Sequence, residues 1–213
     1  MALKDIVAGI ALLVVAGTAS ADALLQQALA RDALPPGDVR GMLRTTTTVT
    51  GGDAPEVETV IVDPRKEPKK ALASYAELKD VIGANAQVAS RDAGRTVYTF
   101  TTRHVPKAFT RAGSVSVQMD GEGDDGLFDG TAEVSTDASG RPYVSHVDLR
   151  MHDSAGNFLA RVKKIDIGYA FGPATDTDAM VATAMSVDVD VRALFFMHRN
   201  ARAESTLVAD NPR

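Results

Sequence analysis

The most constraining feature of this sequence is a run near its C-terminus in which apolar and polar residues alternate. Apolar side chains occupy every second position from Met185 to Met197, and Ser186, Asp188, Asp190 and Arg192 stand between the first five of them. A period of two places successive side chains on opposite faces of a strand. The run therefore predicts a long β-strand with one apolar face and one polar face.

The same alternation recurs upstream, in segments that turn residues separate. Val115 to Met119, Phe128 to Thr136 and Tyr143 to Met151 each alternate apolar and polar residues. A turn at Asp137 to Gly140 follows the second of these segments. From Gln87 onward the chain is therefore predicted to be a succession of half-buried strands.

Two details of the later strands can be predicted. The alternation from Phe158 to Phe171 changes phase at Lys163 and Lys164, and a β-bulge at that point would keep the apolar residues on one face. Asn200 is predicted to turn the chain into a last strand that ends at Leu207.

Two short helices are predicted, both before the strand-rich region. Asp22 to Ala33 has leucines and alanine at helical spacing, and the sequence Pro35 to Gly37 ends the pattern. A second helix is predicted to start with Pro68 in its first turn and to end at Ile82, with Gly83 behind it. Helices are thus few and early.

A strand pair is predicted between the two helices, with Arg40 to Thr50 and Val57 to Val62 joined by the turn Gly51-Gly52-Asp53. Consecutive strands joined by short turns favour an antiparallel sheet. The predicted fold class is mainly β with two short helices (α+β), built on a strongly coiled antiparallel sheet. Two short helices cannot cover such a sheet completely, which predicts a partly covered apolar cavity.

The N-terminus has the pattern of a secretory signal. Lys4 precedes an apolar run from Ile6 to Ala16, and Ala19-Ser20-Ala21 provides small residues for signal peptidase. The run is well short of the ~20 residues that span a bilayer. We expect a signal peptide over residues 1–21, cleaved after Ala21, and one domain over 22–213. Without cysteine the chain has no disulfide, and a periplasmic location is favoured over full secretion.

The order of these elements resembles that of the LolA-like lipoprotein-carrier superfamily. A short helix, a Thr-rich strand pair, a second helix and a long meander closing with Val187 to Phe196 and a charged last strand carry the resemblance. It implies an unclosed antiparallel half-barrel, plugged by helices, that holds acyl chains or other apolar cargo in the periplasm. The best-known carriers have tryptophan and an arginine near the cavity; this chain has no tryptophan, and Arg44 is the candidate arginine.

The predicted function is therefore that of a non-enzymatic periplasmic protein that shields an acyl chain, a lipid or an acylated protein. The apolar sheet face would line the cavity through Val115, Val117, Met119, Leu149, Met151, Ile167, Tyr169, Val189, Val191 and Phe195. Methionine suits such a lining because its flexible thioether adapts to irregular ligands. The alternative is a cell-envelope interaction module in which the same residues form a packed core without a ligand.

A basic cluster is the candidate docking site for a partner. Arg65, Lys66, Lys69 and Lys70 lie together at the predicted start of the second helix. They could contact an envelope protein or anionic head groups, or they could simply be solvated. A net charge of −5 argues against nucleic acid as a partner, and we expect a monomer.

Other polar clusters fit no strong motif. His146 and Asp148 share a strand face and could reach one metal ion, but Arg150 beside them disfavours a cation. The acidic residues of 120–126 lack the glycine and glutamate positions of a calcium loop. Without a Gly-x-Ser-x-Gly turn, a hydrolase ranks below both binding functions. We expect no catalytic residue, no metal and no cofactor.

Overall fold

A computed structural model of the chain describes residues 22–106, 108–112, 115–119, 126–156, 160–193 and 197–208. The predicted signal peptide, most of the acidic loop and Phe195 lie outside the described residues. No helix of the described part combines the length and apolarity needed to cross a membrane.

The described chain consists mainly of β-strands. Its α-helices are α1 (Ala23–Leu29) and α2 (Leu78–Ile82), and one-turn 3-10 helices span Pro36–Asp38, Pro68–Lys70 and Tyr75–Glu77. The strands are β1 (Met42–Thr50), β2 (Glu56–Val62), β3 (Gln87–Asp92), β4 (Arg95–Thr102), β5 (Ala108–Ala112), β6 (Val115–Met119), β7 (Phe128–Thr136), β8 (Pro142–Met151), β9 (Ala155–Gly156), β10 (Ala160–Pro173), β11 (Met180–Ala193) and β12 (Met197–Val208).

Ten of these strands form one antiparallel sheet. Nine follow the order β2-β1-β12-β11-β10-β8-β7-β4-β3, and β9 pairs with β10 at one end. Strands β5 and β6 form a separate hairpin. The sheet is not closed, because its edge strands β2 and β3 do not pair with each other. The prediction of a mainly β, antiparallel fold with two short helices is confirmed.

The late strands confirm one predicted detail and correct another. The pairing of β10 with β11 shifts register between Val162 and Lys164, where the bulge was predicted. The turn predicted at Asn200 is wrong, because Asn200 lies inside β12 opposite Asp190. Its side-chain amide donates to the Asp188 carboxylate over 2.8 Å, so the polar face of the sheet satisfies it and no turn is needed.

Helix α1 begins close to its predicted start and ends early. The Asp22 carboxylate accepts a hydrogen bond from the backbone N–H of Leu24 over 3.0 Å and so caps the helix. The helix ends at Leu29 and does not reach Ala33. Ala33 instead forms a parallel bridge with Met180 at the start of β11. The sheet thus takes up the segment that the periodicity assigned to the helix.

The second predicted helix is wrong over its first half. Pro68–Lys70 makes a single 3-10 turn, and Ala71 beyond it is extended. A new helical start follows at Ser74, where the side chains of Ser74 and Glu77 form a capping box. The continuous spacing of apolar residues from Leu72 to Ile82 therefore spans a break, and only Leu78–Ile82 is α-helical.

The helices cover one face of the sheet. Helix α1 packs against β7 and β8, and α2 packs against β4. The core between these layers includes the buried side chains of Leu25, Ile82, Tyr98 and Val147. The opposite face of the sheet is polar. The apolar strand positions therefore lie mainly under the helices, and the polar strand positions lie on the opposite face.

Candidate functional site

The residues predicted to line an apolar cavity fall into two groups. Leu149, Met151, Ile167, Tyr169 and Val189 are buried in the core beneath the helices, and Val191 is half-buried against it. Val115, Val117 and Met119 lie on β6, which belongs to the separate hairpin; their side chains, like all of Phe195, lie outside the described residues. The structure thus brings the first group together.

Tyr169 lies at the centre of the buried group. Its hydroxyl donates to the Pro106 carbonyl over 3.2 Å, and its ring stacks on Phe171 at a centroid distance of 6.3 Å. Phe171 in turn meets the edge of Tyr75 at 5.4 Å. Burial raises the pKa of Tyr169 above its ordinary value. An aromatic chain therefore connects β10 with the helical cover.

The Tyr75 hydroxyl holds that cover on the sheet. It accepts a hydrogen bond from the Val144 N–H over 2.7 Å and donates one to the Ala28 carbonyl over 2.9 Å. Pairing between β8 and β10 ends at His146, so the tyrosine takes over an amide that β10 no longer reaches. Burial raises the pKa of Tyr75 to about 12. One side chain thus joins β8, α1 and the 3-10 turn before α2.

A small apolar pocket remains at one end of the interior. Its volume is ≈ 20 Å³, which is about the room for one water molecule. It is lined chiefly by Leu34, Val39, Leu43, Leu72, Met180 and Leu207. A wider depression of ≈ 580 Å³ shares Leu34, Val39 and Leu207 with it and extends to Arg40 and Arg65.

The predicted docking cluster lies beside this pocket. Arg65, Lys66, Lys69 and Lys70 are all exposed. The segment that carries them begins at Pro64 and ends at Ala71, and both of these residues line the pocket. The basic cluster is therefore next to the pocket along the chain, and Arg65 also lines the wider depression beside it.

Part of the cluster is fixed by ion pairs. The Asp63 carboxylate accepts hydrogen bonds from the side chain of Arg65 over 2.9 Å and from its backbone N–H over 3.0 Å. The side-chain bond from Arg65 is the main reason that the pKa of Asp63 is lowered. Lys70 pairs with Glu67 over 2.5 Å. These contacts hold the segment as a defined loop.

A polar groove on the opposite face was not predicted from the sequence. Its volume is ≈ 1060 Å³, and it crosses the sheet from β4 to β12. Residues that stand opposite one another in register form its central row, namely Thr101, Asp129, Arg150, Asp166, Asp188 and Arg202. Lys164 lies 2.9 Å from Asp166 and 3.3 Å from Asp188, and so bridges the two adjacent carboxylates.

Gly168 forms the floor of the groove. A Cβ atom at this position would lie 2.8 Å from Ser186 Oγ and 3.1 Å from Asp148 Oδ1. A side chain at this position would therefore displace the Ser186 hydroxyl from the place that it has above the strand. The sequence predicts that Asp148 and Arg150 lie on a polar face. It does not predict which residues of β7, β10 and β11 lie beside them, because that depends on the order and register of the strands. The sequence does show charged residues on the polar face of each strand, and this pattern could have indicated a charged row across the sheet.

Two histidines of this face are paired with carboxylates. His146 Nε2 lies 3.2 Å from Asp148 Oδ1, and His152 Nδ1 lies 2.8 Å from Asp129 Oδ2. The hydrogen bond in each pair raises the pKa of the histidine. No group of three metal-ligating side chains forms anywhere in the described ranges.

Comparisons of the chain with protein-family models, with curated proteins and with solved structures give no match.

The His146–Asp148 pair predicts a defined pH response. Asp148→Asn should lower the pKa of His146 toward its ordinary value and leave the pKa of His152 unchanged. Because the pKa of folded His146 is raised, its contribution to stability is complete at acidic pH and is lost as the pH rises through that pKa. The variant should therefore be less stable than the wild type at pH 5 and equal to it at pH 9. Histidine NMR titration and urea unfolding at both pH values measure this, and equal pKa values for His146 in both proteins would contradict the pairing.

Proposed function

We propose that this protein is a non-enzymatic, exported binding protein that shields an acyl chain or a similar lipid between its helical cover and the apolar face of its sheet. In this proposal the sheet acts as a coiled, unclosed half-barrel. One observation carries the proposal: the four exposed cations lie on a loop, Arg65 to Lys70, that begins and ends at the apolar pocket.

This combination fits an amphiphile with an anionic head group. Each methylene group of an acyl chain that leaves water for an apolar interior contributes about 0.8 kcal/mol. Cations grouped at an entrance attract the opposite charge and orient it outward. A fatty acid or an anionic phospholipid has both parts in the matching order.

Cargo can enter only if the cover moves, because the pocket holds ≈ 20 Å³. The cover is slight: α1 has seven residues and α2 has five. Between β2 and α2 the chain forms single 3-10 turns at Pro68–Lys70 and Tyr75–Glu77. If this connection moved outward, the pocket lined by Leu72 and Tyr75 would open.

Charge reversal tests the entrance. Lys69→Glu/Lys70→Glu should weaken the binding of a fluorescent fatty acid by about tenfold, which corresponds to ~1.4 kcal/mol. Arg161→Glu/Lys163→Glu is the matched control, because it makes the same charge change at exposed positions of β10 that do not line the pocket. A neutral apolar probe should bind all three proteins alike.

Lipid mass spectrometry of the purified wild-type protein provides the direct measurement. A co-purified lipid or fatty acid supports the proposal. A protein that is empty and that binds neither probe would contradict it, whatever the charge variants do.

The packed interior favours a second candidate function, an interaction module of the cell envelope. The side chains of Ile167, Tyr169 and Leu149 are almost completely buried by the protein's own core, so no ligand is needed to complete it. A module of this kind would dock its partner at the basic cluster. Reversing the charges of Arg65, Lys66, Lys69 and Lys70 should then abolish capture of the envelope partner, with no lipid bound by the wild type.

A further inference from the structure

The two edges of the sheet differ in how they are protected from pairing. Strand β3 shifts register between Val88 and Ser90 and ends with the charged Arg91 and Asp92. A bulge and charges of this kind discourage a foreign strand. Strand β2 pairs with β1 without any shift from Glu56 to Val62, and the stretch has neither lysine nor proline. Among the described residues β2 pairs only with β1, although β5 lies near both strands. The edge at β3 is thus interrupted by a bulge, whereas the edge at β2 is regular and is referred to below as the open edge.

The open edge also exposes apolar side chains. Val57 is 65% exposed, Ile61 is 60% exposed and Val60 is 37% exposed. Val57 and Ile61 lie on the groove side, since they stand opposite Thr48 and Arg44, while Val60 points to the other face. A straight, unshifted strand with exposed β-branched residues is suited to strand addition.

We propose that β2 pairs antiparallel with β2 of a second copy of this chain, about a two-fold axis at Thr59. In this register Thr59 faces its own counterpart, and Val57 faces Ile61 twice. Glu56 and Glu58 then stand opposite Val62 and Val60, so no two like charges meet. Cross-strand pairs of β-branched residues stabilise a sheet, whereas like charges placed directly opposite each other destabilise it.

Neighbouring registers fit less well. A two-fold axis at Glu58 would place that carboxylate directly opposite Glu58 of the second copy. An axis at Val60 would place Val57 opposite Asp63 and would lose both Val57–Ile61 pairs. Thr59 is thus the axis that combines apolar contact with separated charges.

The charges flanking β2 favour the same arrangement. Asp53 and Glu56 make the start of the strand acidic, and the segment 63–70 after it is basic, since it holds four cations and two carboxylates. Antiparallel pairing about Thr59 brings the acidic end of one copy beside the basic end of the other, and such complementarity selects the partner and its orientation. The sequence predicts a monomer, and the open edge changes that expectation.

A single introduced thiol tests the axis, because the chain has no cysteine of its own. Residues directly opposite in an antiparallel pair have Cα atoms ~4.5–5.5 Å apart, which is within the span of a disulfide. Thr59→Cys should therefore form a covalent dimer under mild oxidation. Val57→Cys and Ile61→Cys should each stay monomeric when oxidised alone and should crosslink when they are mixed.

Charge placed on the edge gives an independent measurement. Val57→Lys/Ile61→Lys should convert a sedimenting dimer to a monomer, and Val88→Lys on the other edge strand should not. Circular dichroism establishes that the variants are folded, and the cysteine variants decide the question if they are not. The proposal is overturned if the wild type sediments as a monomer, or if Thr59→Cys crosslinks no faster than Val57→Cys.

Discussion

Replacing Tyr169 by alanine should reduce the free energy of unfolding by about 3–5 kcal/mol, as removal of a large buried aromatic side chain does. Tyr169 is fully buried, stacks on Phe171 and donates to the Pro106 carbonyl. Its loss leaves a cavity at the centre of the core, because the sheet and the aromatic chain around it cannot collapse onto the space. Guanidinium unfolding of the variant and the wild type measures the difference.

Tyr169→Phe is the matched control. It keeps the ring and removes only the hydroxyl, so it should cost about 1 kcal/mol. If alanine and phenylalanine at this position gave the same stability, the ring packing between β10 and the helical cover would not be a source of stability.

Replacing Tyr75 by phenylalanine should reduce the free energy of unfolding by about 1–3 kcal/mol, a large effect for the loss of one oxygen. The Val144 N–H would lose the acceptor that it has at 2.7 Å and would remain buried on the side of β8 where pairing with β10 has ended. Because the same hydroxyl joins β8 to α1, amide exchange in α1 should also become faster. Thermal unfolding and hydrogen exchange measure the two effects.

Tyr98→Phe is the natural comparison. The Tyr98 hydroxyl is buried and makes no hydrogen bond in the described part of the chain, and burial with the nearby Asp22 carboxylate raises the pKa of Tyr98 to about 12. Removing this hydroxyl should leave stability unchanged or improve it. A loss at Tyr98 equal to that at Tyr75 would contradict the assignment of Tyr75 as the link.

The strands could be predicted from the sequence because their periodicity is a local property. Alternation identified β7, β8 and β11, and the change of phase at Lys163 identified the bulge of β10. The order of strands could not be predicted, because nothing local states that β1 pairs with β12. The polar groove depends on that order and on register, so the row from Asp129 to Arg202 was not foreseen.

The helices were predicted less well, for a different reason. Apolar spacing from Leu72 to Ile82 suggests one helix, but the extended backbone at Ala71 and the capping box at Ser74 break it. Tertiary packing, and not periodicity, decides where such short helices begin. The basic cluster can be recognised in the sequence, whereas its position beside the pocket follows from the loop that returns from β2 to the core.

The pairing of the first strand with the last has a consequence for how the molecule is made. Thr45 on β1 shares a hydrogen bond with Ser205 on β12, 160 residues later, and β1 lies between β12 and the edge strand β2. During synthesis, β1 and β2 therefore cannot join the rest of the sheet until almost the whole chain has been made. Contacts of such long sequence separation slow folding. The same pairing makes truncation at the C-terminal end more damaging to the sheet than its distance from the N-terminal strands would suggest, because β1 and β2 join the sheet through β12.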